Sequence, residues 1–283
     1  MSALDPRLTP ARPDLAAAHL KGQVEAARFV EPVDRQAIAA SVAIRRTPEP
    51  HGAVDDQLLA GDVFALLEEK NGWGWGYSRA DGFVGWVDLL ALSEDVEAVD
   101  HRVTALRTYA FSEPDLKSEP NLLLSLNCSF RAGRREGRYV EAVGLGWVFA
   151  PHCGPLGETA GDFVAVAESF LGAPYLWGGK ESLGLDCSGL VQMALLAAGT
   201  ALPRDSDQQE ALLAAHWRDV TDQPERRRGD IVFWPGHVGI MTDSEHLLHA
   251  NGHWMDVTLE DFAVAEQRIR EAHAPVRAIY RPA

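Results

Sequence analysis

Asp186-Cys187-Ser188-Gly189-Leu190-Val191-Gln192-Met193-Ala194-Leu195-Leu196-Ala197-Ala198-Gly199 decides how the C-terminal half of this chain is read. The run from Leu190 to Ala198 is almost wholly apolar and stops at Gly199, so it predicts a buried helix with Cys187 in its first turn. The unpaired N–H groups and the dipole of a first turn favour thiolate over thiol. A free cysteine is more often buried and inert than reactive, and only its companions make it a nucleophile.

Those companions lie downstream. Gly236-His237-Val238-Gly239-Ile240 opens a second apolar run, and His249 follows inside Leu247-Leu248-His249-Ala250-Asn251. A thiol with an ordinary pKa near ~8.5 is mostly protonated at neutral pH, so a base at His237 would have to take its proton. A third group must then fix the tautomer of that base, and His249 fits the role. His246 and His253 compete with it; in a strand His249 and His246 face opposite ways, but alternation does not say which face meets His237. The bland alternative for His237 is a turn residue after Pro235-Gly236. Zinc is excluded by ligand count, because Cys128 and Cys153 have no partner at metal-ligand spacing. The chemistry calls for no metal and no cofactor.

With Tyr175-Leu176-Trp177-Gly178-Gly179 ahead of the cysteine, three motifs stand in order. Together they resemble the NlpC-type cell-wall peptidases, a papain-like family. The resemblance covers roughly residues 160 to 283. It supports Cys187, His237 and His249 as the catalytic set, and the Tyr175 hydroxyl and Cys187 N–H as candidate oxyanion donors.

At 283 residues and 46% hydrophobic content the chain can bury more than one core. A formal charge of −15, with no basic stripe, argues against nucleic acid and anionic membrane surfaces as partners. No stretch reaches the ~18 apolar residues of a membrane helix, and the opening Ser-Ala-Leu-Asp-Pro-Arg lacks the pattern of a secretory signal. Three scattered cysteines suit a reducing compartment. The expectation is a cytoplasmic protein.

Residues 1–35 read as an arm, proline-studded and then helical from about Asp14 to Arg28. Residues 36–95 change to short strands: Ala39 to Arg45, Gln57 to Leu59, Asp62 to Glu68, Trp73 to Ser78 and Phe83 to Val87. Turn signals such as Asn71-Gly72 and Asp81-Gly82 separate them. Residues 96–155 repeat the pattern, with strands at Val103 to Tyr109, Leu122 to Leu126, Arg138 to Val143 and Gly146 to Phe149. Gly85-Trp86-Val87 has its counterpart in Gly146-Trp147-Val148. Each segment resembles a bacterial SH3-like module. Residues 156–283 carry helices and then strands, an α+β unit. The fold class is therefore multidomain: two small all-β SH3-like barrels followed by an α+β papain-like cysteine peptidase domain. Trp73, Trp75, Tyr77, Phe83 and Trp86 read as barrel core, with an aromatic ligand surface as the alternative.

Family members that pair SH3-like modules with Pro203-Arg204-Asp205-Ser206 are the most similar. They cut γ-D-glutamyl–diamino acid bonds in murein peptides that begin with free L-Ala. The resemblance implies a murein tripeptide or tetrapeptide as substrate. It assigns Asp186, Ser188, Asp205 and Ser206 to the substrate's amine, with Trp177 of the first motif as a further contact. A free ammonium needs such carboxylate and hydroxyl acceptors; the bland reading of Asp205 and Ser206 is a helix cap. An acidic residue and a tyrosine of the first barrel complete that site in the family. Glu49 occupies a suitable loop, whereas Phe83 stands where the tyrosine belongs and Tyr77 is the nearest substitute. Two other classes remain: a wall-peptide binding module with a silent peptidase domain, and an amidase or acyltransferase using the same triad.

Overall fold

The computed structural model describes residues 4–282. The chain forms two compact units, divided between Leu156 and Gly157. In the first, seven strands form one sheet in the order Val54–Leu59, Ser41–Arg45, Val84–Asp88, Trp73–Ser78, Val63–Lys70, Val33–Ala37 and Leu92–Ser93. Every pairing in it is antiparallel. Alternation sends Ile44, Leu58, Phe64, Leu66 and Val87 into its core.

The helix expected from Asp14 to Arg28 does not form. A short 3-10 turn at Ala18–Leu20 and a two-residue parallel pairing of Ala16–Ala17 with Phe29–Val30 stand in its place. The reason is burial: Leu15, Ala16 and Ala17 are consecutive and all fully buried, a pattern with no polar helical face. Leu15, Ala17 and Leu20 lie on Leu67, Trp75 and Trp86, and the Arg12 guanidinium sits 4.2 Å over the Trp75 ring and pairs with Glu68. The aromatic face considered as a ligand surface is thus covered by the chain's own arm.

The rest of the first unit holds a five-stranded sheet (Pro120–Ser125, Arg107–Phe111, Gly146–Phe149, Tyr139–Ala142, Ala132–Glu136) and a three-stranded one (Ser129–Phe130, His101–Val103, Cys153–Pro155). The strand expected from Val103 to Tyr109 is broken in two at Thr104 to Leu106. Ala132–Glu136 escaped notice because an edge strand of Ala-Gly-Arg-Arg-Glu has no apolar alternation to read.

The second unit packs its helices on a six-stranded antiparallel sheet, ordered Arg218–Asp219, Ala278–Arg281, Ile231–Trp234, His237–Met241, His246–Asn251 and Asp256–Asp261. The helix expected from Ala160 to Leu171 is shorter, Phe163–Glu168; it starts late because Asp162 caps it through the Val164 and Ala165 N–H groups. Cys187–Ala197 is nearly all buried and lies against the His237–Met241 strand. Val232, Trp234, Met241, Leu247 and Ile279 form a core with Ala265 and Ile269 of the helix Phe262–Ala272.

Candidate active site

The loop before the cysteine helix is built around one carboxylate. Asp186 caps the helix through the Gly189 N–H at 2.8 Å, and its other oxygen takes the Gly178 N–H at 2.9 Å. Arg204 grips the same carboxylate with both arms, at 2.9 and 2.7 Å, and donates to Ser188 Oγ at 2.8 Å and to the Gly179 carbonyl at 3.2 Å. Arg204 is fully buried and Asp186 6% exposed, so this is an interior bidentate ion pair. Gly189 is required here: a Cβ would stand 2.3 Å from the Gly179 carbonyl oxygen. The Trp-Gly-Gly and Cys-Ser-Gly motifs therefore meet as packed backbone, which places Cys187 at the helix start.

Asp186 and Ser188, both expected at the substrate's amine, are hydrogen-bonded within this loop. Arg204, passed over in the sequence, is their partner; its signal was its place inside Pro203-Arg204-Asp205-Ser206. Asp205 and Ser206 sit at the start of the helix Ser206–His216, where Asp205 forms a capping box with Gln208.

The helix that starts at Cys187 packs on the strand that begins with His237, and the Val238 N–H of that strand favours the Cys187 thiolate. Burial raises the pKa of the Tyr175 hydroxyl, and Cys187 opposes its ionisation further. The two-residue turn Pro235-Gly236, with Gly236 at φ 72°, sets Trp234 opposite His237. The buried Trp234 ring lies 5.5 Å from the imidazole and limits its rotation.

His237 Nε2 is 2.8 Å from His249 Nδ1. Of the three candidate orienters His249 is the one that meets it: His246 pairs with Asp243 at 2.9 Å, and His253 lies exposed in the following turn. His249 is fully buried, and its Nε2 reaches Glu260 Oε2 at 2.7 Å. Glu260 also accepts from Trp254 Nε1 at 2.9 Å and from Arg268. Neither Glu260 nor Arg268 was foreseen, since a lone acid in an alternating strand reads as its solvent face.

Burial dominates the electrostatics. It pushes the Cys187 thiol up to about 12, against smaller lowering by the Val238 and Ser188 N–H groups. The helix start therefore acts in the expected direction and is outweighed. Burial likewise lowers the His237 imidazole to about 3, with His249, Arg268 and His273 opposing its charge and Glu260 favouring it. Separately each group prefers to be neutral. A proton passed from sulfur to imidazole creates both charges together, and their attraction offsets much of that cost.

In the first unit, Phe83 lies in the barrel core at 4% exposure. Tyr77 packs with the arm layer, its hydroxyl accepting from Arg79 at 3.0 Å. Glu49 is exposed in its loop and Trp177 is 66% exposed. No helix among the described residues is long and apolar enough to cross a membrane.

Residues 172–272 match the NlpC/P60 family, and residues 44–92 match the bacterial dipeptidyl-peptidase SH3 domain. Dipeptidyl-peptidase 6 of Lysinibacillus sphaericus is 38% identical over 72% of this chain and 82% of its own length. The gamma-D-glutamyl-L-lysine dipeptidyl-peptidase of Bacillus subtilis (strain 168) is 34% identical over 70% of this chain and 72% of its own. The crystal structure of an NlpC/P60 family protein from Bacillus cereus ATCC 10987 superposes with a TM-score of 0.72 over 88% of this chain and 99% of that one; at 16% identity it speaks for the fold. The motifs, the papain-like unit that carries them and these relatives lead to one assignment: the chain belongs to the NlpC/P60 family, is a cysteine peptidase with an SH3 domain ahead of its catalytic domain, and acts on cell-wall material.

Proposed function

We propose that this enzyme hydrolyses the amide between γ-D-glutamate and a diamino acid in murein tripeptides or tetrapeptides with a free N-terminal L-Ala, and that it does so in wall-peptide recycling in the cytoplasm. The observation that carries the chemistry is the His237 to His249 hydrogen bond of 2.8 Å, on the strand against which the Cys187 helix packs. Support for the substrate comes from the names of the relatives and from Pro203-Arg204-Asp205-Ser206. Support for the compartment comes from the three cysteines, too few and too scattered in the sequence for a disulfide framework. Residues 96–155 are read as a second SH3-like module on the repeat of Gly-Trp-Val and on its five-stranded sheet.

In this reading His237 takes the thiol proton on Nδ1, its nitrogen not committed to His249, as sulfur attacks the γ-carbonyl of D-Glu. The oxyanion is received by the Cys187 N–H and the Tyr175 hydroxyl, which burial keeps protonated and able to donate. His237 returns the proton to the departing amine of the diamino acid. Water, deprotonated by the same imidazole, then hydrolyses the thioester and frees the thiol. Asp186 and Ser188 hold the loop and, with Asp205, Ser206 and Trp177, remain the proposed substrate contacts of the catalytic unit.

Incubation with L-Ala-γ-D-Glu-diaminopimelate and mass analysis tests the proposal. Cys187→Ala should lose turnover entirely while keeping the wild-type circular dichroism; turnover at the wild-type rate would overturn the nucleophile. Acetylating the substrate's amine should suppress cleavage; equal cleavage of both peptides would remove the amine requirement.

A further inference from the structure

Three adjacent strands contribute one side chain each to a single diagonal. The His237–Met241 and His246–Asn251 strands pair with Ile240 opposite Leu248, a register that brings His249 across from Gly239, two residues from His237. The next strand pairs His249 with Thr258 and Leu247 with Glu260, so Glu260 is diagonal to His249 on the same face. The diagonal is closed by hydrogen bonds of 2.8 Å and 2.7 Å.

We propose that Glu260 is a positioning residue of the catalytic set, which fixes the tautomers of both histidines and stabilises the imidazolium that His237 becomes. An ionised carboxylate only accepts hydrogen bonds, so the proton between His249 and Glu260 belongs to His249 Nε2. A neutral His249 then offers a lone pair at Nδ1, which requires His237 to carry its proton on Nε2. His237 Nδ1 is left bare as the base. Reversing the first bond reverses the second and points an N–H at the thiol, where it can take no proton. Glu260 is held ionised, down to about 2, by the His249, Trp254 and Arg268 donors against the cost of its burial.

The surrounding charges set the sign of its influence. His237 faces His249 on the neighbouring strand, Arg268 on the helix Phe262–Ala272 and His273 just beyond that helix, all of which oppose a positive imidazole. On the sulfur side the charges are Asp186 and Arg204, which neutralise each other. Glu260 is the negative group that favours the imidazolium, and Arg268 tempers it by sharing the carboxylate.

The inference rests on the peptidase reading above, and a readout without substrate separates the two. In the full-length protein, ¹⁵N histidine spectra at neutral pH should show both His237 and His249 protonated on Nε2 with Nδ1 bare. A neutral His249 protonated on Nδ1 would overturn the proposal. The pH profile of iodoacetamide alkylation, read by mass on the Cys187 peptide, gives the second arm. Glu260→Gln keeps the shape and removes the charge; its profile should move up by about one pH unit, with alkylation at neutral pH about tenfold slower. Glu260→Asp should return the profile to the wild-type position, and Arg268→Gln should move it down. An unmoved profile in Glu260→Gln, or Glu260→Gln and Arg268→Gln moving the same way, would sink the inference. Wild-type Cys187 reacting no faster than a free-cysteine peptide would instead sink the peptidase reading.

Discussion

Arg204 is the residue on which the nucleophile's position depends without being touched by it. Its guanidinium is buried, and it satisfies both oxygens of the carboxylate that caps the cysteine helix. Removing one partner of a buried pair leaves an uncompensated charge, whereas removing both leaves a gap that apolar atoms can fill. Arg204→Met is therefore expected to destabilise the protein by about 3–5 kcal/mol. The double variant Asp186→Asn with Arg204→Met should cost less than the sum of the two single changes. Urea unfolding of the four proteins checks this as a double-mutant cycle; additive losses would mean that the pair is not a unit. A buried arginine is what composition argues against, since charged side chains are rarely interior unless paired, and the pairing is visible only in space.

At the level of elements, the histidine pair exists because two strands approach closely at Gly239. A Cβ at that position would stand 3.2 Å from His249 Cβ and 2.8 Å from Leu247 Cδ1. Leu247 can swing away, but His249 is held by His237 and Glu260 and cannot. Gly239→Ala should thus lower kcat by about tenfold or more, since small displacements of positioned groups are costly, with little change in KM. Steady-state kinetics decide it: a rise in KM alone would place the effect on substrate binding. The same elements show what the sequence made legible. The cysteine helix, the turn at Pro235-Gly236 and the strand of His249 were readable because apolar runs and turn residues are local signals. The choice of His249 over His246 was not, because alternation separates faces without saying which one carries a partner. Glu260 was hidden for a related reason: its role comes from pairing register, a property of three strands together. The arm from Asp14 to Arg28 misled because its apolar residues serve the barrel and not a helix of their own.

Over the whole molecule, pH acts most strongly through the catalytic unit. Among the described residues, the imidazole lowered to about 3 and the carboxylate lowered to about 2 belong to the same diagonal. In the unfolded chain His237 would titrate near its ordinary 6.5, so between pH 6.5 and about 3 unfolding takes up a proton that the folded state refuses. The stability this contributes is present above 6.5 and is lost as pH falls, by ~1.4 kcal/mol per pH unit for one proton. Glu260 has the same sign over a lower window, from its ordinary 4.5 down to about 2. A charge of −15 at neutral pH works in the opposite sense, because acid relieves self-repulsion across both units. The difference between wild type and His237→Gln separates these effects, since the global charge terms cancel and the histidine's does not. Urea midpoints of the two proteins, followed by tryptophan fluorescence at successive pH values from 7 to about 4, should converge or cross as acid removes the wild-type advantage. A constant gap across that range would mean that His237 titrates alike in the folded and unfolded chain, and that burial does not hold the resting imidazole neutral.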